Sequence, residues 1–533
     1  MSSLHEFMPT ALLPPLESVD FAFLAKGLLG TLLAFHVVPY IVDPYKARKY
    51  PGPFLAKFSD AWLGWVSKKG HRSEVVHNLH KKYGPIVRLA PNHVSIADPD
   101  ALNTIYAHGN GALKSEFYDA FVSIRRGVFN TRDRAEHSRK RKIVSHIFSQ
   151  KSVVEFEPQI RLYVNMFIQQ WDRLCDLSMK GMSGPEGEGW YGEGGRLWLD
   201  CLPFSDIGAN YLAFDIVGDL AFGAPFGMLE AAKDSALVPK NPDNVMNSYG
   251  KECTEDVVAL PAVQILNGRG EFSMSMGVLP AWWRPVVRKL PGYSQGQKDV
   301  KMLAGIAIMA VAKRLATPTD RVDLLSKLQA GRDNEGNPMG KEELTAEALT
   351  LLIAGSDTTS NSTCAILYYL ARNRNAQDKL HRELDDELGA EDETVATGQQ
   401  IKRLPYMDAC INEGLRLHST SALGLPRVVP EGGIFTIHRD PSIWGEDTEE
   451  YRPERWFEQD QSGIQKTFNP FSVGPRACVG RNLAFLELQI IIASIMRRYD
   501  LVLQDPDYIL ETREGFLRKP LQCHIGVKRR ESL

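Results

Sequence analysis

The run Phe471-Ser472-Val473-Gly474-Pro475-Arg476-Ala477-Cys478-Val479-Gly480 sets one cysteine between a sharp turn and an apolar pattern at helical spacing, Leu483, Leu486, Ile490 and Ala493. Two glycines and a proline flank Cys478, so the backbone can turn tightly and approach a flat ligand closely. Cys478 thus precedes a helix N-terminus, where free amides and the positive end of the dipole favour a thiolate over a thiol. Arg476 adds a cation suited to a carboxylate of a bound group. A cysteine presented alone suits an axial ligand to haem iron better than zinc, which takes three or four clustered ligands. An inert buried thiol is the commoner fate of an intracellular cysteine. The complete spacing Phe-x-x-Gly-x-Arg-x-Cys-x-Gly weighs against that fate here.

The rest of the chain sets the context. At 533 residues, 44% hydrophobic and 24% charged, it can bury a sizeable core, and a formal charge of −3 gives no reason to expect nucleic acid. Seven scattered cysteines with no C-x-x-C pair argue for a reducing compartment and against a disulfide framework or zinc module. Residues 23–42 are apolar enough to cross a bilayer, although His36 and Pro39 interrupt the run; an interfacial helix or buried hairpin is the competing reading. Lys46, Arg48, Lys49 and Pro51-Gly52-Pro53 follow, which predicts that the bulk of the chain stays cytosolic. The expected organisation is an anchor and basic, proline-containing linker over 1–50, then one catalytic domain over 51–533.

Along that domain the pattern predicts a helix around 72–83 and strands at 86–89 and 93–96, forming a mixed sheet at one edge of an α-rich body. A charge run, Thr131 to Lys142, carries His137 and Arg141 one helical turn apart. Residues 180–195 are glycine-rich and read as a surface loop; Asp206 to Met228 turns apolar and helical again. A long helical pattern over 342–372 holds Ala354-Gly355-Ser356-Asp357-Thr358-Thr359 between apolar flanks. There a threonine hydroxyl can bond back to the carbonyl one turn earlier and open the helix. Glu413 and Arg416 sit three residues apart on a helix expected over 406–417, and Pro453-Glu454-Arg455-Trp456 follows.

The cysteine motif is the fingerprint of the haem-thiolate monooxygenases, the cytochrome P450 superfamily, and the chain resembles that family in these other elements too. The resemblance implies a mainly α fold with small β-sheets around a buried haem b. It implies Cys478 as the metal ligand and His137, Arg141, Arg427, Phe471 and Arg476 as cofactor-binding residues. His137 stands where tryptophan is commoner. Thr358 is implied to relay protons during oxygen activation, fed by Asp357, with Gly355 letting oxygen and substrate approach. Glu413, Arg416 and Arg455 are implied to form a buried network that holds the cysteine loop in register. Arg139, Lys140 and Lys142 would then form a basic patch for an acidic flavoprotein electron donor.

Longer segments, including Lys114 to Ile124, Phe129 to Ser145, Tyr211 to Met228, Thr345 to Leu367 and Thr512 to Pro520, are similar to the fungal benzoate para-hydroxylases. That similarity implies conversion of benzoate to 4-hydroxybenzoate with O2 and electrons from NADPH through a membrane-bound reductase. It places the chain on the endoplasmic reticulum membrane, held in lipid by the N-terminal helix, with the catalytic domain facing the cytosol. Expected liners of the substrate pocket are Phe117, Tyr118, Phe121, Leu352, Ala354, Thr420, Ser421, Ala422 and Phe516, with Arg125 or Ser123 offered to the substrate carboxylate. The chain departs from its relatives near 433–434, where a β-hairpin and one sheet strand are missing. The ten residues Val428 to Ile437 reach at most about 35 Å, and the loss would expose a sheet edge. Two other readings stay open: a haem-binding but inactive trimmed form, and a monooxygenase of another small aromatic substrate. An isomerase or dehydratase would have no use for the pair Asp357-Thr358.

Overall fold

The computed structural model describes residues 21–109, 112–184, 190–201, 208–247, 256–317, 321–389, 394–421, 424–428, 441–458, 464 and 467–530. The helices that build the site are, in chain order, α1 (Phe21–Val42), α2 (Arg134–Ser145), α3 (Ala209–Phe222), α4 (Ala262–Gly277), α5 (Lys341–Arg372), α6 (Pro405–Leu417) and α7 (Arg481–Arg498). The strands are β1 (Ile86–Ala90), β2 (His93–Ile96), β3 (Leu113–Lys114), β4 (Trp190–Glu193), β5 (Arg196–Asp200), β6 (Ala236–Pro239), β7 (Val257–Leu260), β8 (Arg427–Val428), β9 (Tyr499–Leu503), β10 (Thr512–Glu514), β11 (Arg518–Pro520) and β12 (His524–Arg529).

The body is organised around α5. Its 32 residues would span about 48 Å at 1.5 Å per residue. Glu342 and Glu343 in its first turn and Arg372 in its last complement the helix dipole. Helices α3, α6 and α7 pack along it, and α3 is buried on every face. Gly355 explains the close approach of α3. A Cβ there would come within 2.7 Å of Val217 Cγ2, so the glycine serves helix packing. The expected role was a different one, letting oxygen and substrate approach the helix.

The sheets are small. The largest has four antiparallel strands in the order β4-β5-β12-β9, while β1–β2, β3–β8, β6–β7 and β10–β11 are antiparallel pairs. No mixed sheet joins β1 and β2 among the described residues. Strand β4 lies inside the glycine-rich stretch read as loop. It pairs Trp190 to Glu193 with Leu199 to Arg196 of β5, so backbone pairing to a buried neighbour overrides local composition there. The helix expected from Asp206 is described from Ala209, and 202–207 are outside the described residues, as is the departure near 433–434.

Helix α1 is 22 residues long, apolar and unburied, long enough to cross a membrane. Its C-terminal half touches the body, with Tyr40 and Phe58 ring centroids 4.7 Å apart and a His36 Nδ1 contact to the Phe58 carbonyl at 3.0 Å.

Candidate active site

The cysteine loop opens onto a cavity of about 1750 Å³. Within the loop, Ser472 (φ +58°) and Gly474 (φ +74°) take left-handed backbone conformations. Any Cβ at Gly474 would fall 1.8 Å from the Tyr106 carbonyl oxygen, so only glycine fits. The Cys478 amide donates to the Phe471 carbonyl at 2.8 Å and closes the turn. Helix α7 then begins at Arg481, as the apolar spacing requires. Burial raises the Cys478 thiol pKa in the bare protein, while the Gly480 and Arg481 amides and the Arg141 and Arg481 guanidinium groups pull it down. These groups stand ready to stabilise a thiolate once a cation takes the sulfur.

Beside the loop lies a group of cations. The antiparallel register of β3 and β8 sets Lys114 opposite Arg427. Buried Lys114 is held well below its usual pKa, first by desolvation and then by Arg427, Arg476 and Arg141. Desolvation and the same cations lower His137 to about 3, so it is neutral imidazole. Arg141 donates to the Ala477 carbonyl at 2.6 Å, and Arg476 to the Thr131 carbonyl at 2.5 Å, so both arginines brace the loop through backbone oxygens. Arg427 donates to Tyr118 Oη at 2.9 Å, while its Nη2 is buried without a hydrogen-bond partner among the described residues. Clustered cations with an orphaned guanidinium nitrogen fit a ligand that brings carboxylates, as the propionates of haem do. Lys114 had no assigned role from the sequence because a lone lysine in a two-residue strand carries no periodic signal; only its pairing with Arg427 places it here.

The opposite wall is α5. Thr358 Oγ1 donates to the Ala354 carbonyl at 2.6 Å, and both residues line the cavity, with the helix continuous through them. Asp357 is absent from the cavity wall: its carboxylate pairs with Lys519 at 2.8 Å and accepts from Asn361 at 3.2 Å. Phe121, Phe516, Thr420, Ser421, Ser123 and Arg125 line the cavity. Phe117, Tyr118 and Leu352 do not, which corrects their expected role. Phe117 and Tyr118 pack in a core layer behind Phe121, and Leu352 turns into the main core. Ala422 falls outside the described residues.

Two charge networks flank the site. Arg416 donates to both Glu413 oxygens at 2.9 Å, Arg455 Nε donates to Glu413 Oε1 at 2.8 Å, and Trp456 Nε1 to Oε2 at 3.1 Å. The three charged residues expected to meet are therefore together and fully buried. In contrast, the expected basic patch is largely spent internally. Arg139 pairs with Glu136 and Glu343, Lys140 is buried against Glu343 at 2.5 Å, and Lys142 reaches Asn334. The scattered cysteines also gather more than their spacing suggested: Cys201, Cys364 and Cys523 bring their sulfurs within 4.8 Å of one another, away from solvent. Cys478 is not among them.

Glu487 of α7 accepts from Thr359 at 3.0 Å, and burial raises its pKa from 4.5 to about 7. The folded chain therefore keeps this proton up to about pH 7, while the unfolded chain releases it near 4.5. Stability from this group falls as pH rises between those values and levels off above them, a span of about 3 kcal/mol. Glu487→Gln should flatten that slope and be relatively more stable at pH 8 than at pH 5. Unfolding free energies at the two pH values check it, and parallel wild-type and variant curves would contradict it.

With this geometry in place, the sequence matches the cytochrome P450 family over residues 61–432 and 432–527, and the chain belongs to that family. It is a haem-dependent monooxygenase, using haem b with O2 and NADPH-derived electrons. Benzoate 4-monooxygenase bphA of Aspergillus niger is 46% identical over 94% of this chain and 96% of its own length. Cytochrome P450 monooxygenase atr2 of Stereocaulon alpinum is 29% identical over 97% of each chain, and poxM of Penicillium oxalicum 27% over 88% of this chain and 87% of its own.

Proposed function

We propose that this chain hydroxylates a small aromatic acid, converting benzoate to 4-hydroxybenzoate. The observation that carries the reading is one continuous cavity. It joins Cys478 and the α5 wall to an aromatic wall of Phe121, Phe129 and Phe516, in a chain 46% identical to a benzoate 4-monooxygenase. In this reading Cys478 ligates the iron, Phe471 packs beside the sulfur, and His137, Arg141, Arg427, Arg476 and Lys114 hold the propionates. When bound, haem supplies reductive activation of dioxygen, with the thiolate pushing electron density onto iron. Thr358 holds a proton at Oγ1 on the cavity face, and Asp357, reached from the Lys519 side of the helix, resupplies it. The aromatic wall keeps water off that side of the cavity and orients the ring carbon to be hydroxylated.

The electron donor in this proposal is an NADPH-dependent flavoprotein reductase. The membrane is that of the endoplasmic reticulum, entered through α1, with the catalytic domain on the cytosolic side. Exposed Phe54, Leu55, Trp65 and Trp282 support a lipid-facing surface on the body. The organisation proposed is anchor and linker over 1–50 and catalytic domain over 51–533, with a sheet segment missing near 433–434. Division of the family match at residue 432 supports that gap, and with it the alternative of a haem-binding but inactive trimmed form. Titrating the purified haem protein with benzoate decides between them. Loss of the iron's water should produce a spin-state change in the absorption spectrum, followed by 4-hydroxybenzoate formation with reductase. A response confined to larger apolar compounds would overturn the aromatic-acid reading, and a ferrous–CO spectrum without the thiolate band would favour the inactive form.

A further inference from the structure

Arg269, on α4, was absent from every sequence expectation, yet it lines the cavity and is 6% exposed. Its Nη2 donates to the Phe121 carbonyl at 3.0 Å, and its guanidinium lies 5.5 Å from the Phe121 ring centroid. Its Nε is buried without a hydrogen-bond partner among the described residues. Among the described residues, the carboxylate that acts on it electrostatically is Asp357, whose Oδ2 is already paired with Lys519 at 2.8 Å. Arg269 and Lys519 thus share one carboxylate, which leaves one positive charge uncompensated at an apolar wall. A buried guanidinium in that condition is costly, and an incoming anion offsets the cost.

The surroundings define which anion. Phe121, Phe129 and Phe516 pack on one another with centroids 4.8 to 6.0 Å apart, forming a continuous aromatic wall that offers edge-to-face contact to an incoming aromatic ring. Arg125, the arginine offered earlier for the carboxylate, has a side chain 57% exposed and pairs with Glu342 at 3.3 Å. Although burial lowers Arg269 to about 10, it remains charged at neutral pH.

We propose that Arg269 is the anion-binding residue of the substrate cavity, holding the carboxylate of an aromatic acid while the ring rests against Phe121, Phe129 and Phe516. The assignment rests on the aromatic-acid reading above and adds the group that enforces it. An uncharged analogue of the same shape leaves the guanidinium unpaired, which is how a site built for a polar group rejects a ligand lacking it.

The test is a spectral titration of the haem-loaded chain with benzoate and with benzamide, an uncharged near-isostere. Wild type should bind benzoate far more tightly than benzamide. Arg269→Gln should raise the benzoate Kd by about 10- to 100-fold, the range expected for a lost charged hydrogen bond. Its benzamide Kd should stay within about 3-fold. Arg269→Gln that retains haem and binds benzoate like wild type overturns the assignment while leaving the substrate reading intact. Wild type that does not respond to benzoate sinks both. Where Arg269→Gln fails to retain haem, Arg269→Lys decides. Weaker benzoate binding at unchanged benzamide binding supports the planar fork as the contact, and unchanged binding of both overturns it.

Discussion

Cys478→Ser should lose the thiolate-type ferrous–CO band and lower hydroxylation by on the order of 10³-fold or more, about 4 kcal/mol of barrier. The loop is built to present this one atom: the amides of Gly480 and Arg481 and the guanidinium of Arg141 all favour negative charge at the sulfur. A serine hydroxyl keeps the size of the group but is far harder to ionise and donates less electron density to iron. Haem content measured alongside separates lost ligation from lost folding, because the cations around Lys114 and Arg427, proposed above to hold the porphyrin, remain in this variant. Unchanged CO spectrum and turnover in this variant would mean that the sulfur is not the ligand.

Glu413→Ala should destabilise the fold by about 3–5 kcal/mol, since it takes the carboxylate from buried Arg416 and the nearer of two from buried Arg455. That is a large share of the 5–15 kcal/mol typical of a whole domain. Arg455 spends its remaining donors on the Trp444 carbonyl at 2.9 Å and on Asp447 at 3.1 Å, geometry that lysine cannot reproduce. The consequence should reach the cysteine loop. Trp456, bonded to Glu413, packs on Phe468 at 4.6 Å between centroids, and the Asn469–Ser472 turn that starts the loop follows directly. Haem should therefore be lost from Glu413→Ala at temperatures where wild type keeps it. A denaturation midpoint and haem content equal to wild type would remove the network from the account.

Much of the site was legible because its motifs are local. Turn residues, a lone cysteine and the start of α7 lie within a dozen positions, and backbone conformation over such a span is dictated by the residues themselves. Periodicity similarly located α5 and α6 to within a residue of their observed starts, since both bury continuous apolar faces. Direction was harder to read. Successive residues on a helix point about 100° apart, so Thr358 meets the cavity while Asp357 meets Lys519 and Leu352 meets the core. Arg139 and Lys140 look like a free basic patch until α5 brings Glu343 against them.

By itself the sequence determined the cysteine turn, the helix that follows it, the polar stretch within α5 and the apolar N-terminal run, all features carried by neighbours along the chain. Tertiary structure alone decided that Lys114 faces Arg427 across β3 and β8, that Cys201, Cys364 and Cys523 converge, and that Arg269 is left one anion short among the described residues, beside the aromatic wall. The reason is physical. Charge balance and burial are properties of groups brought together from hundreds of residues apart, and no local pattern records them.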